Sequence, residues 1–144
     1  FTLAAKHTDL YCSMSSFMGC MDLETWRGQG SWLYDSIAGA LGEYKTNSAL
    51  WKSNSAINLV HKFQGTDLKL KIICGNEDLV ENGWGSYPDN ERLHQELDRV
   101  GVRHEYTIFS GGHSYEEIDR FLPEVLLFHY NSFKTKEIFQ NGPV

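Results

Sequence analysis

The stretch 68–74, Leu-Lys-Leu-Lys-Ile-Ile-Cys, constrains this chain most. It starts with apolar–polar alternation and ends in a short apolar run, the pattern of a parallel strand buried on both faces. Residues 104–109 form a second alternating segment, and residues 11–18 read as a third strand of small and apolar residues ending at Gly19. Between the first two lies the clearest helix, residues 88–100. Pro88 suits its first turn, Leu93, Leu97 and Val100 recur at helical spacing, and Gly101 stops it. Strands alternating with helices predict an α/β fold, a doubly wound, mostly parallel sheet with about three strands from this chain.

The remaining segments read less sharply. Residues 20–31 are rich in glycine and polar side chains and read as a loop. Residues 33–43 form a short helix weakened by glycines, 49–52 one helical turn, and 55–63 a further helix. The last helical stretch, 115–130, contains Pro123, which predicts two pieces. There is no internal repeat or low-complexity stretch. The chain opens at Phe1, and residues 1–7 read as the end of a helix already under way, so upstream sequence is expected. A three-stranded unit would also leave one sheet edge whose Val, Ile and Leu side chains expect neighbours, a further hint of a partner half.

Hydrophobic residues make up 41% and aromatics 13% of the 144 residues, enough for a packed core. The net charge of −6, with acids and bases interspersed, gives no basic nucleic-acid surface. No apolar run approaches the roughly 18 residues of a membrane span. Cys12, Cys20 and Cys74 are odd in number and form no C-x-x-C pair, so neither a disulfide framework nor a zinc site is indicated. Compartment cannot be read without the upstream residues, and a homo-oligomer stays open.

In an open parallel sheet, active sites lie outside the carboxyl ends of the strands. Asp78 follows the strand 68–74 and His113 follows the strand 104–109. Adjacent parallel strands would set these turns side by side, where a carboxylate can fix the tautomer of a histidine and stabilise its imidazolium. Gly111 and Gly112 would let the backbone turn His113 inward. A single Asp in a turn is ordinarily a cap, and a single His ordinarily a surface or core residue, as His7, His61, His94, His104 and His129 are read here. The pair, acid before base and each after a strand, carries more weight than either member. Trp26, Trp32 and Trp51, in the insert between two strands, and Trp84, after the acid turn, could stack on a sugar or phenolic acyl group, with Trp26, Trp32 and Trp84 the candidate substrate contacts. Packing of loops against the domain is the plainer reading of all four.

Several passages resemble one family in order and spacing. Lys6-His7-Thr8-Asp9-Leu10-Tyr11, followed by a Ser-rich strand and Gly19, looks like the HPDLF…SG passage of the esterase D-like family of α/β-hydrolases. Asn76-Glu77-Asp78 after an apolar strand resembles its CGxxD acid turn. The run from Asn90 through Leu93-His94 to Gly101-Val102-Arg103-His104-Glu105-Tyr106 resembles its helix and following strand. Gly111-Gly112-His113, then Leu122-Pro123-Glu124-Val125-Leu126, resembles its GGH…LPEVL ending. Thr8 stands where the family has proline, and Ser114-Tyr115-Glu116-Glu117 replaces an aromatic acidic stretch. No G-x-S-x-G occurs. Ser31 follows Gly30 and Ser86 follows Gly85, but neither has the flanking glycine pair.

The resemblance implies the α/β-hydrolase fold, with residues 1–144 as the C-terminal part of one domain and the nucleophile elbow and oxyanion amides upstream. It implies a serine carboxylic-ester hydrolase that uses no cofactor and no metal, with Asp78 and His113 as triad acid and base, acting on a small-molecule or carbohydrate-linked ester. The isolated chain is expected to be inactive. Two alternatives stay open: a non-catalytic binding module of the same fold, and a serine peptidase of the same fold.

Overall fold

The computed structural model describes residues 1–28, 32–79 and 85–141. Three parallel strands, β1 (Ser13–Phe17), β2 (Lys69–Gly75) and β3 (Glu105–Phe109), lie in the order β1-β2-β3. The helices are α1 (Thr2–Lys6), α2 (Trp32–Leu41), α3 (Tyr44–Asn54), α4 (Ser86–Arg99) and α5 (Tyr115–Asn141), with 3-10 helices at Leu23–Trp26 and Ala56–Phe63.

The apolar strand is central. Leu70, Ile72, Ile73 and Cys74 are each no more than 1% exposed. Successive side chains point to opposite faces, so β2 feeds two apolar layers. Leu70 and Ile72 pack with Ala4, Ala5, Val60, Phe63, Leu93 and Leu97 from α1, the second 3-10 helix and α4. Ile73 packs with Phe109 and Val125, and Ile118 and Phe121 of α5 close over them. Helices therefore cover both faces, the doubly wound arrangement. On α4, Leu93 and Leu97 are fully buried one turn apart, each contributing about 1.5–3 kcal/mol.

Several sequence expectations need correction. The 20–31 segment is not all loop, because residues 23–26 form a 3-10 turn capped by Asp22, whose Oδ1 accepts from the Glu24 amide at 3.0 Å. The single turn at 49–52 is part of the longer α3, bent at Asn47. Fully buried Trp51 holds it, its Nε1 donating to the Gly42 carbonyl at 2.9 Å and its ring flanked by Tyr34 and Tyr44. Pro123 does not divide α5. The lost backbone bond and ring crowding cost about 3 kcal/mol. Anchors on both sides keep it one helix: Phe121 and Val125 in the apolar layer, Glu124 on Lys71, and His129 on β1. Of the two edge strands, β1 is Ser-Met-Ser-Ser-Phe and β3 is Glu-Tyr-Thr-Ile-Phe with Ile108 exposed, so the expected row of branched apolar side chains at one edge is a single isoleucine on β3. No helix among the described residues is long and apolar enough to cross a membrane.

Candidate active site

Strand register decides where the site lies. Gly75 pairs with Phe109, so β2 and β3 end at the same level and their following turns are neighbours. Backbone bonds fuse the two turns: the Asn76 amide donates to the Phe109 carbonyl and the Glu77 amide to the Gly111 carbonyl, both at 2.9 Å. Ser110 Oγ adds a 2.7 Å bond to Glu77 Oε1. Such closeness leaves no room for a side chain at Gly75, where a Cβ would sit 2.2 Å from the Gly111 oxygen. At Gly111 a Cβ would meet Glu117 Oε1 at 2.7 Å and the Phe109 ring at 2.9 Å, whereas at Gly112 it would meet nothing within 4 Å. Neither Gly111 nor Gly112 has a positive φ. The expected sharp glycine turn is thus a matter of close approach at Gly75 and Gly111, not of left-handed backbone.

Across this joint His113 Nδ1 lies 2.8 Å from Asp78 Oδ2. A carboxylate accepts, so Nδ1 carries the proton and Nε2 is the nitrogen able to take another. The His113 side chain is 27% exposed and that of Asp78 fully buried. A buried carboxylate is tolerated only when donors surround it. Here the Gly85 amide donates to Oδ1 at 3.0 Å, and Ser86 Oγ and His113 Nδ1 both bond Oδ2. Gly85 is the N-cap of α4 at φ 71°, so the acid also sits at the positive end of a helix dipole. The Tyr87 amide donates to the Asp78 carbonyl at 3.1 Å, fastening the same loop to α4.

Sequence reading missed the supporting role of Ser86. It weighed Ser86 only as a nucleophile, but the hydroxyl is committed to the carboxylate. The available signal was a Gly-Ser pair opening a helix eight residues after a turn aspartate. Also unforeseen was Met18, a non-glycine residue at φ 46° directly after β1, at the same rim.

The tryptophans fare differently. Trp26 is half-buried in the first 3-10 helix, and its buried indole N–H has no hydrogen-bond partner among the described residues. Its loop is tied to α4 through Thr25 Oγ1–Asp89 Oδ1 at 3.0 Å and Asp22–Arg92. No bond among the described residues joins Trp26 to Asp78 or His113. Trp32 is described only as the first backbone position of α2, and Trp84 lies outside the described residues, as does Ser31.

Two other places invite comparison. His129 bridges Ser13 Oγ (Nδ1, 2.8 Å) and Ser15 Oγ (Nε2, 2.9 Å), with burial lowering its pKa. With both ring nitrogens spent on hydroxyls of β1, it ties α5 to the sheet, in keeping with a core histidine. A cavity of about 600 Å³ opens at the other rim, where its lining includes Lys71, His104 and Glu124. Its central ammonium, Lys71, is held by Glu105 and Glu124 at 2.6 Å each. That is an ion triad joining strands to α5.

Solved structures similar to this one include the following two. A ferulic acid esterase superposes with a TM-score of 0.67 at 17% identity, over 92% of this chain and 47% of that chain. A puromycin-hydrolyzing peptidase of Mycobacterium tuberculosis superposes with a TM-score of 0.60 at 19% identity, over 76% of this chain and 16% of that one. The fold is that of the α/β hydrolases. This hydrolase-fold chain spans less than half the length of either similar structure. No protein-family model matches the sequence, and neither does any curated protein.

Proposed function

We propose that this chain supplies the acid and base of a serine carboxylic-ester hydrolase, with Asp78 as acid and His113 as base. The observation that carries this reading is the 2.8 Å Nδ1–Oδ2 contact at the carboxyl ends of adjacent parallel strands. The nucleophilic serine and the oxyanion amides come from sequence outside these 144 residues, so the chain is the C-terminal part of one hydrolase domain. The first similar structure spans about twice this length, which supports that division.

In the complete enzyme, His113 Nε2 takes the serine proton as the hydroxyl attacks the ester carbonyl, giving a tetrahedral oxyanion. The same proton then passes to the leaving alcohol as the acyl-enzyme forms. Water repeats the sequence to release the acid. Asp78 keeps Nδ1 protonated and stabilises the imidazolium while it exists. Ser86, the Gly85 amide and the α4 terminus hold the carboxylate in place. None of these steps needs a metal or cofactor. Small-molecule or carbohydrate-linked esters are the proposed substrates, with Trp26, Trp32 and Trp84 as candidate contacts.

The similarity to a peptidase supports a second reading, amide hydrolysis by the same pair. One comparison separates them: the full protein is assayed on p-nitrophenyl acetate, methyl ferulate and an aminoacyl amide, beside Asp78→Asn and His113→Ala. Ester turnover lost in both variants supports the proposal. Turnover of the amide alone moves the assignment to a peptidase. No turnover of any substrate favours a binding module, and turnover by the isolated 144-residue chain overturns the division of the triad.

A further inference from the structure

His94 and Asp98 lie one helical turn apart on α4, and His104 meets them from the approach to β3. One donor atom from each lies within 4.8 Å of the other two. The His104 side chain is 3% exposed and that of Asp98 64%, so the cluster has a fixed floor and an open mouth. The Tyr106 ring covers His94 at 4.3 Å and 32°, and its hydroxyl donates to Glu91 at 3.1 Å.

Hydrogen bonds assign the protons here. The Val102 carbonyl can only accept, so His104 Nδ1, 2.9 Å away, is the N–H nitrogen and Nε2 carries the lone pair. His94 Nδ1 lies 2.7 Å from that lone pair and must be its donor. The neutral His94 ring is then left with its own lone pair on Nε2, facing Asp98 Oδ2 at 3.6 Å. Two acceptors facing each other repel unless a proton, a doubly donating water or a metal cation stands between them. The gap is long for a hydrogen bond. It is close to the roughly 3.3 Å between two ligands of a tetrahedral ion held at about 2.0–2.1 Å.

We propose that His94, Asp98 and His104 form a binding site for a divalent transition metal, with zinc as the reference ion. Two imidazoles and a carboxylate suit zinc and leave a fourth position for water. Both rings ligate through Nε2. Each keeps its Nδ1 proton, and the Val102 carbonyl steadies His104 as an outer partner. The His94–His104 hydrogen bond is exchanged for the ion. The cluster lies at the end of α4 and the start of β3, the opposite rim from Asp78 and His113, so the ion staples the 99–104 connection and takes no part in hydrolysis.

The test is calorimetric titration of the full protein with zinc chloride, with thermal unfolding followed with and without zinc and cobalt(II) spectra as a check on geometry. Expected are saturable binding, a raised unfolding temperature and tetrahedral cobalt bands. Since loss of even an outer partner costs about 10–100-fold in metal affinity, His94→Gln should weaken binding at least 100-fold. Exposed Asp98→Asn, which leaves the fold intact, should weaken it at least tenfold. Absence of binding, as when His94 meets Asp98 by taking a second proton, overturns the proposal. Equal zinc affinity in wild type and in variants with unchanged circular dichroism overturns it too.

Discussion

Gly75→Ala tests the joint between the two turns. The added Cβ would sit 2.2 Å from the Gly111 oxygen, 2.8 Å from its carbonyl carbon and 3.0 Å from the Gly112 oxygen, where ordinary contact begins at 3.4 Å. All three neighbours are backbone, so relief requires the turns to part by about 1 Å. The two 2.9 Å amide bonds and the 2.8 Å His113–Asp78 bond then stretch toward 4 Å, beyond hydrogen-bond range. Overpacking costs about 1–3 kcal/mol, and each broken bond about 1 kcal/mol. Against this, alanine gains only about 0.4–1 kcal/mol through the unfolded chain. The net loss is about 3–6 kcal/mol, and a 1 Å misplacement of the histidine lowers kcat about 100-fold. Urea unfolding and ester turnover of the full protein measure both. Gly112→Ala is the control: its Cβ meets nothing within 4 Å, so stability should stay within about 0.5 kcal/mol. Wild-type behaviour in Gly75→Ala, or equal damage in Gly112→Ala, refutes the argument.

Further outcomes follow from the same structure. Asp78→Asn keeps the volume but removes the charge and the correct imidazole tautomer, so steady-state kinetics should show kcat falling on the order of 10⁴-fold with KM little changed. At Lys71, burial opposes the ammonium, but Glu105 and Glu124 outweigh it and raise its pKa. Both carboxylates are about half exposed and hydrate readily alone. Chemical denaturation should therefore find Lys71→Met within about 1 kcal/mol of wild type, and Glu105→Gln with Glu124→Gln costing about 3–5 kcal/mol by stranding the buried charge. Burial, with Asp89 and Asp22 nearby, pushes the Cys20 thiol from 9.0 to about 12, and burial pushes Cys74 from 9.0 to about 11. The unfolded chain loses these protons first, so their contribution to stability is whole below pH 9 and fades as pH rises toward 11–12. Unfolding free energies measured from pH 8 upward should show the decline, shallower in Cys20→Ala.

The parts of the fold legible in the sequence were those set by local periodicity. Leu70, Ile72 and Ile73 announced a strand buried on both faces, and Leu93 and Leu97 announced α4, because one residue's spacing from the next is enough to define a face. The juxtaposition of residues 78 and 113 was also legible, since each follows a strand and the strands are neighbours. Tertiary effects were not. Pro123 carried a local break signal that anchors at Phe121, Glu124 and His129 override. The insert's helix α3 lacks a strong apolar stripe and is held by the single buried indole of Trp51. At the site, the Gly111 and Gly112 signal pointed to backbone freedom, while the constraint is a close approach between Gly75 and Gly111 that no single segment encodes. Ser86 escaped notice as a partner of Asp78 for the same reason.

Fluorophosphonate labelling of the full protein, read by peptide mass spectrometry, tests the assignment of residues 78 and 113 most directly. The account predicts one adduct, on a serine outside these 144 residues, formed at a rate that collapses in His113→Ala and falls sharply in Asp78→Asn. A protein that takes no label, or takes it equally well without the imidazole, would contradict the account.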